Sequence, residues 1–147
     1  MAEPTKTPWH LWVVGGVSLL WNAFGGYDFI MTTTQGEKYF RASGFDQPMI
    51  DYFNAMPAWM YGPWAIGVWG AVLGSILLLM RRKLAAPVLA LSLLGALISL
   101  IYQKAIDVPP PPPPALAMMT NMPYVILLIA ALLAWYAWAM AKRGVLR

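Results

Sequence analysis

Residues 59–103 read WMYGPWAIGVWGAVLGSILLLM-RRK-LAAPVLALSLLGALISLIYQ, two uncharged runs joined by the three basic residues Arg81, Arg82 and Lys83. A helix needs about 20 predominantly apolar residues to cross the hydrocarbon core of a bilayer. Each run is long enough, and three residues between them allow only a tight turn, so the segment reads as an antiparallel membrane hairpin. Upstream, 21 uncharged residues separate Lys6 from Asp28; downstream, 34 separate Asp107 from Lys142. Four spans are therefore expected, roughly 11–31, 59–80, 84–103 and 121–141, within a single membrane domain covering 1–147. The fold class is an all-α membrane protein, a four-transmembrane-helix bundle.

Composition agrees. The chain of 147 residues is 60% hydrophobic and only 11% charged, with a mean hydropathy of +0.59. A soluble domain is nearer half apolar and a quarter charged. The absence of cysteine excludes a disulfide framework, a thiolate metal site and a cysteine nucleophile. A single histidine excludes a site with two imidazoles from one chain. Lys6, the apolar run after it and Ala23-Phe24-Gly25 have the outline of a signal peptide, but the run is longer than such a region, so it reads as the first span.

The charges orient the bundle. With both termini in the cytoplasm, that side carries Lys6, Arg81, Arg82, Lys83, Lys142, Arg143 and Arg147. The opposite side carries Lys38, Arg41 and Lys104, offset by Glu37, Asp46, Asp51 and Asp107. The excess of basic residues in short cytoplasmic loops follows the positive-inside rule, so the net charge of +4 reads as topology and not as affinity for nucleic acid. Aromatic belts give the same arrangement, with Trp9, Trp12, Trp135, Tyr136 and Trp138 inside and Tyr27, Trp59, Tyr61, Trp64, Tyr102 and Tyr124 outside. The expected location is a bacterial inner membrane.

The two outer segments differ. In the first, Asp46-Gln47-Pro48 has the form of a helix start, and Met49, Tyr52 or Phe53, and Met56 recur at helical spacing before Pro57. A short amphipathic helix is expected there. The second contains six consecutive prolines, Pro109, Pro110, Pro111, Pro112, Pro113 and Pro114, which favour a stiff polyproline II segment. It reads either as a rigid loop or as a docking surface for a partner.

Lipid tails are as apolar as leucine, so close backbone approach and buried polar contacts hold spanning helices together. Each span has one small face: Gly15, Ser18, Asn22 and Gly25 or Gly26; Gly67, Gly70 and Gly74; Ser92, Gly95 and Ser99; Ala130, Ala134, Ala137 and Ala141. These faces suit packing within one bundle, with contact to another copy or another subunit as alternatives. Candidates for chemistry are few. Asn22 near mid-membrane reads as a hydrogen bond across a helix interface, to Ser92 or Ser99, or as a solute contact. Asp28 is the one ionisable candidate for a solute or proton site, and could equally lie at the interface, bond Thr32 or pair with Lys104. His10 between Trp9 and Leu11 suits a surface position better than a pigment or metal ligand. No P-loop, HExxH helix or nucleophile elbow occurs, so neither an enzyme nor a cofactor is expected.

The segments TPWHLWVVGGVSLLWNAFGGYDF (7–29), MPAWMYGPWAIGVWGAVLGSILLLMRRKLA (56–85) and YAWAMAKRGVLR (136–147) resemble small four-span proteins of alphaproteobacteria, sphingomonad-like ones in particular. Some of these are labelled sugar transporters. The resemblance covers most of the chain and implies a four-helix inner-membrane protein. Two functions follow as expectations: an accessory or scaffold subunit packed against a larger respiratory or photosynthetic membrane complex, or a small-solute carrier acting as an oligomer. The partners expected are the lipid bilayer and a membrane protein or further copies of the chain.

Overall fold

The computed structural model describes residues 6–147, which are mostly helical and contain no strand. The helices are α1 (Trp9–Gln35), α2 (Glu37–Ala42), α3 (Gln47–Asn54), α4 (Tyr61–Leu79), α5 (Ala85–Ile101) and α6 (Met122–Lys142). Short 3₁₀ turns cover Ala58–Met60 and Pro114–Thr120, and a π-helical turn, Tyr102–Ile106, ends α5. Three helical stretches are long and apolar enough to cross a membrane: Ala58–Leu79, Ala85–Ile106 and Pro114–Lys142. The fourth expected span is different. At 27 residues α1 is the longest helix, but it carries His10, Asn22, Asp28 and Thr32–Gln35 and is not among those three.

Helix ends follow from local chemistry. The Asp46 carboxylate accepts from the Met49 backbone N–H at 3.2 Å and caps α3, which is the short helix expected there. It ends before Pro57, which instead leads into the 3₁₀ turn. α2 was not foreseen. Its end is a Schellman motif, in which Gly44 (φ 90°) turns the chain so that Phe45 stacks on Phe40 at 5.4 Å. α6 ends in the same way at Gly144 (φ 75°), where the N–H of Val145 reaches the Met140 carbonyl at 3.0 Å. At the end of α4 the left-handed position is held by Arg81 (φ 57°), a non-glycine residue in that strained region. Of the proline run, Pro109 to Pro113 lie outside any helix, and Pro114 opens the following 3₁₀ turn.

The four long helices pack antiparallel in chain order. α1 lies along α4, with Gly15 against Leu79, Asn22 against Ala71 and Ser75, and Gly26 against Trp69. α4 lies along α5 still more closely, with Gly67 against Gly95, Gly70 against Ser92 and Gly74 against Leu89. α5 then packs on α6. One end of the bundle gathers the Arg81–Lys83 turn and both ends of the described chain. The Arg81 guanidinium donates to the Thr7 hydroxyl at 2.8 Å, and Arg147 exchanges two 2.7 Å backbone bonds with Arg81 and Lys83. Beneath this hairpin end lies an apolar cluster drawn from all four helices, including Leu11, Leu78, Leu89, Leu133 and Met140. Val145 and Leu146, beyond α6, complete it at 3% and 1% exposure.

The opposite, loop end is tied by aromatic contacts. Phe29 meets Trp64 at 4.6 Å, Trp59 meets Tyr102 edge-on at 5.5 Å, and the Tyr52 hydroxyl donates to the Asp107 carbonyl at 2.7 Å. Phe40, Phe45 and Phe53 stack together, joining α2 to α3.

Candidate functional site: a cleft between α1 and α6

The packing order leaves one seam of the bundle unequal to the others. At the hairpin end α1 and α6 meet, through a 2.5 Å hydrogen bond between His10 Nδ1 and Tyr136 Oη and through Leu11 in the shared cluster. Toward the loop end they part. The space between them is a cleft of about 900 Å³, with Val17 to Asp28 of α1 on one wall and Met122 to Leu133 of α6 on the other. α4 and α5 form its back, contributing Gly67, Val68, Ala71, Ser92, Ala96 and Leu100. Leu20 and Phe24 stand on its lip, 73% and 77% exposed. Leu89 and Leu133 belong both to the cleft and to the apolar cluster, so the cleft is blind at the hairpin end.

The polar groups along the wall are satisfied by the protein. Asn22 is buried, and its Nδ2 donates to the Ala71 carbonyl at 3.2 Å and to Ser75 Oγ at 2.8 Å. Its partners are thus on α4, not Ser92 or Ser99 of α5. The Ser92 hydroxyl donates across the helix pair to the Gly67 carbonyl at 2.6 Å. Ser99 returns its hydroxyl to the Gly95 carbonyl one turn earlier at 3.0 Å. With these donors engaged, the wall is chemically apolar despite three polar side chains.

The mouth at the loop end differs. Asp28 is exposed there, and its Oδ1 accepts from the Tyr39 hydroxyl of α2 at 2.7 Å. The partner of Asp28 is thus Tyr39 and not Thr32 or Lys104; Lys104 instead lies 5.2 Å from the centre of the Tyr124 ring. Desolvation, reinforced by the bond to Asp28, pushes the Tyr39 phenol up to about 12, so it donates at any physiological pH. Gln103 lines the same end of the cleft.

The other small residues divide between seams. Ser18 sits at a smaller hollow of about 230 Å³ between α1 and α6, beside Val14 and Leu132. On α6, Ala130 lines the main cleft, Ala134 packs against the apolar cluster and Ala137 is fully buried within it. Among the described residues no three or more His, Cys, Asp or Glu side chains come together as metal ligands. The sequence reading missed the cleft itself and also Val145 and Leu146; a glycine followed by two apolar residues after α6 was the available signal for the latter. No family model, no curated protein and no solved structure matches the chain.

Proposed function

We propose that this chain is a non-catalytic integral membrane protein of four spans, α1 included, serving as an accessory subunit against a larger membrane complex of respiratory or photosynthetic kind. In this reading the loop end lies outside a bacterial inner membrane and the hairpin end faces the cytoplasm. Antiparallel packing of α1 along α4, from Gly15 at Leu79 to Gly26 at Trp69, supports the fourth crossing. Seven basic residues at or beside the hairpin end, against three at the loop end, support the orientation.

The observation that carries the subunit reading is the open seam. The small faces of α1, α4 and α5 are largely spent on contacts within the bundle, whereas α1 and α6 stay apart over the loop-side half and present exposed Leu20, Phe24 and Ile126 at the gap. A partner in the membrane would pack across the exposed rim of that side, on Leu20, Phe24 and Ile126, without entering the cleft, and Pro109 to Pro113, outside any helix, would add a stiff docking edge at the loop end. Gentle detergent extraction tests this reading. A subunit is recovered with fixed stoichiometry beside a larger membrane protein, and substitution of Leu20 or Ile126 by Asp releases it. Recovery as a free monomer or homo-oligomer defeats the reading.

A second reading, a small-solute carrier acting as an oligomer, is favoured by one observation: the cleft reaches Asn22. Against it, the Asn22 amide is engaged and the route toward the hairpin end is filled by apolar side chains. Solute accumulation in proteoliposomes, abolished by Asn22→Ala, is the result a carrier requires.

A further inference from the structure

We infer that the cleft between α1 and α6 seats one phospholipid of the loop-side leaflet, its acyl chains along the apolar walls and an ammonium head group at Asp28. The inference rests on the four-span placement proposed above, which sets α1 and α6 across the bilayer.

The depth of the cleft matches one leaflet. From Leu133 to Met122, α6 lines the cleft for about 17 Å at 1.5 Å per residue, close to half of the ~30 Å hydrocarbon core. A lipid in one leaflet occupies that depth. The cleft is also blind at the hairpin end. A spanning helix from a partner would continue past mid-membrane, where the α1–α6 seam narrows to the hollow of about 230 Å³ beside Ser18 and then closes at His10 and Tyr136. Lipid tails end there.

Polarity along the cleft runs in one direction, as in an amphiphile. Val17, Val68, Leu100, Ile126 and Ile129 form the walls, and the wall hydroxyls of Ser92 and Ser99 are already engaged. At the mouth stand a carboxylate, Asp28, and the rings of Tyr27 and Tyr39, which pack edge-on at 6.4 Å. A carboxylate beside aromatic faces selects a cationic donor and opposes an anionic head group lacking one. Phosphatidylethanolamine carries such a donor; phosphatidylglycerol does not, and phosphatidylcholine offers charge without an N–H.

The test is native mass spectrometry of the full chain after reconstitution in vesicles of equal phosphatidylethanolamine, phosphatidylcholine and phosphatidylglycerol and re-extraction in mild detergent. Retained lipid is scored on the chain itself, whether alone or within a complex, so the result stands apart from the subunit reading. One phosphatidylethanolamine is expected on the wild-type chain. Ala130→Trp, which fills the cleft, should reduce it to background, and Ile126→Trp at the lip should do so even if the substitution at 130 impairs folding. Asp28→Asn, at an exposed position, should keep a bound lipid but lose the preference over phosphatidylcholine by about tenfold, as removal of one charge-assisted hydrogen bond implies. Absence of retained lipid, retention unchanged by both tryptophans, preference for phosphatidylglycerol, or a photocrosslink from position 130 to a polypeptide would each overturn the inference.

Discussion

Gly95→Ala is the sharpest single perturbation of the bundle. A β-carbon at residue 95 would lie 2.6 Å from the Pro63 carbonyl oxygen, 2.8 Å from the Gly67 nitrogen and 3.2 Å from the Gly67 α-carbon. All three are backbone atoms of α4, so no side chain can rotate away. The nearest contact is roughly 1 Å short of the ~3.5 Å optimum, and α4 and α5 must separate by about that much. Separation also stretches the 2.6 Å bond from the Ser92 hydroxyl to the Gly67 carbonyl. Overpacking of this kind costs about 1–3 kcal/mol, and an interhelical hydrogen bond in a membrane protein adds about 0.6 kcal/mol. Higher helix propensity of alanine returns up to about 1 kcal/mol, leaving a net loss near 2 kcal/mol. Gly16→Ala is the control, because a β-carbon there meets nothing within 4 Å. Reversible unfolding in bicelles, followed by steric trapping, should show a clear loss for Gly95→Ala and none for Gly16→Ala. Equal stability of the two variants would refute the close α4–α5 crossing.

Three further outcomes follow from the geometry. Asn22→Ala removes both bonds from α1 to α4 and should cost about 1–2 kcal/mol in the same assay, while Ser75 retains its own bond to the Ala71 carbonyl. Leu146→Ala should cost about 2–3 kcal/mol, since this residue is 1% exposed within the apolar cluster; a surface-like effect near zero would mean that the segment after α6 does not pack there. Tyr39 and Tyr52 are raised from 10.0 to about 12, chiefly by desolvation, with Asp28 and Asp107 respectively adding to it. A phenol shifted upward gives its full stabilisation below pH 10 and loses it as pH rises through about 12. Tyrosinate absorbance should therefore show Phe substitutions at 39 and 52 removing late-titrating groups, with loop-end contacts loosening only in that alkaline window.

Much of the bundle was legible because run length and charge position are properties of the chain itself. The runs around Arg81-Arg82-Lys83 become α4 and α5, and the small residues Gly15, Ser18, Asn22 and Gly26 are, with Leu11, the buried residues of α1. Other features depend on information absent from spacing. α2 has only six residues, too few for periodicity to declare it. The turn after α4 uses Arg81 where glycine would have signalled a left-handed cap. Asn22 could be recognised as an interhelical donor, but the choice of Ser75 over Ser92 depends on which neighbour α1 takes. The cleft was the least legible feature. Ala130 belongs to a small-residue stripe like the others, yet it faces open space because α1 diverges from α6, and no stripe records that divergence.

The four-span account stands or falls on α1, the helix whose polar residues keep it out of the set that is long and apolar enough to cross on composition alone. The chain contains no cysteine, so single cysteines introduced at Lys6, Lys38 and Arg82 report topology without background. Labelling with a membrane-impermeant maleimide in intact cells should modify position 38 alone, with positions 6 and 82 reacting only after the membrane is opened. Modification of positions 6 and 38 from the same side would show that α1 does not cross, and would contradict the bundle orientation and the leaflet assigned to its cleft.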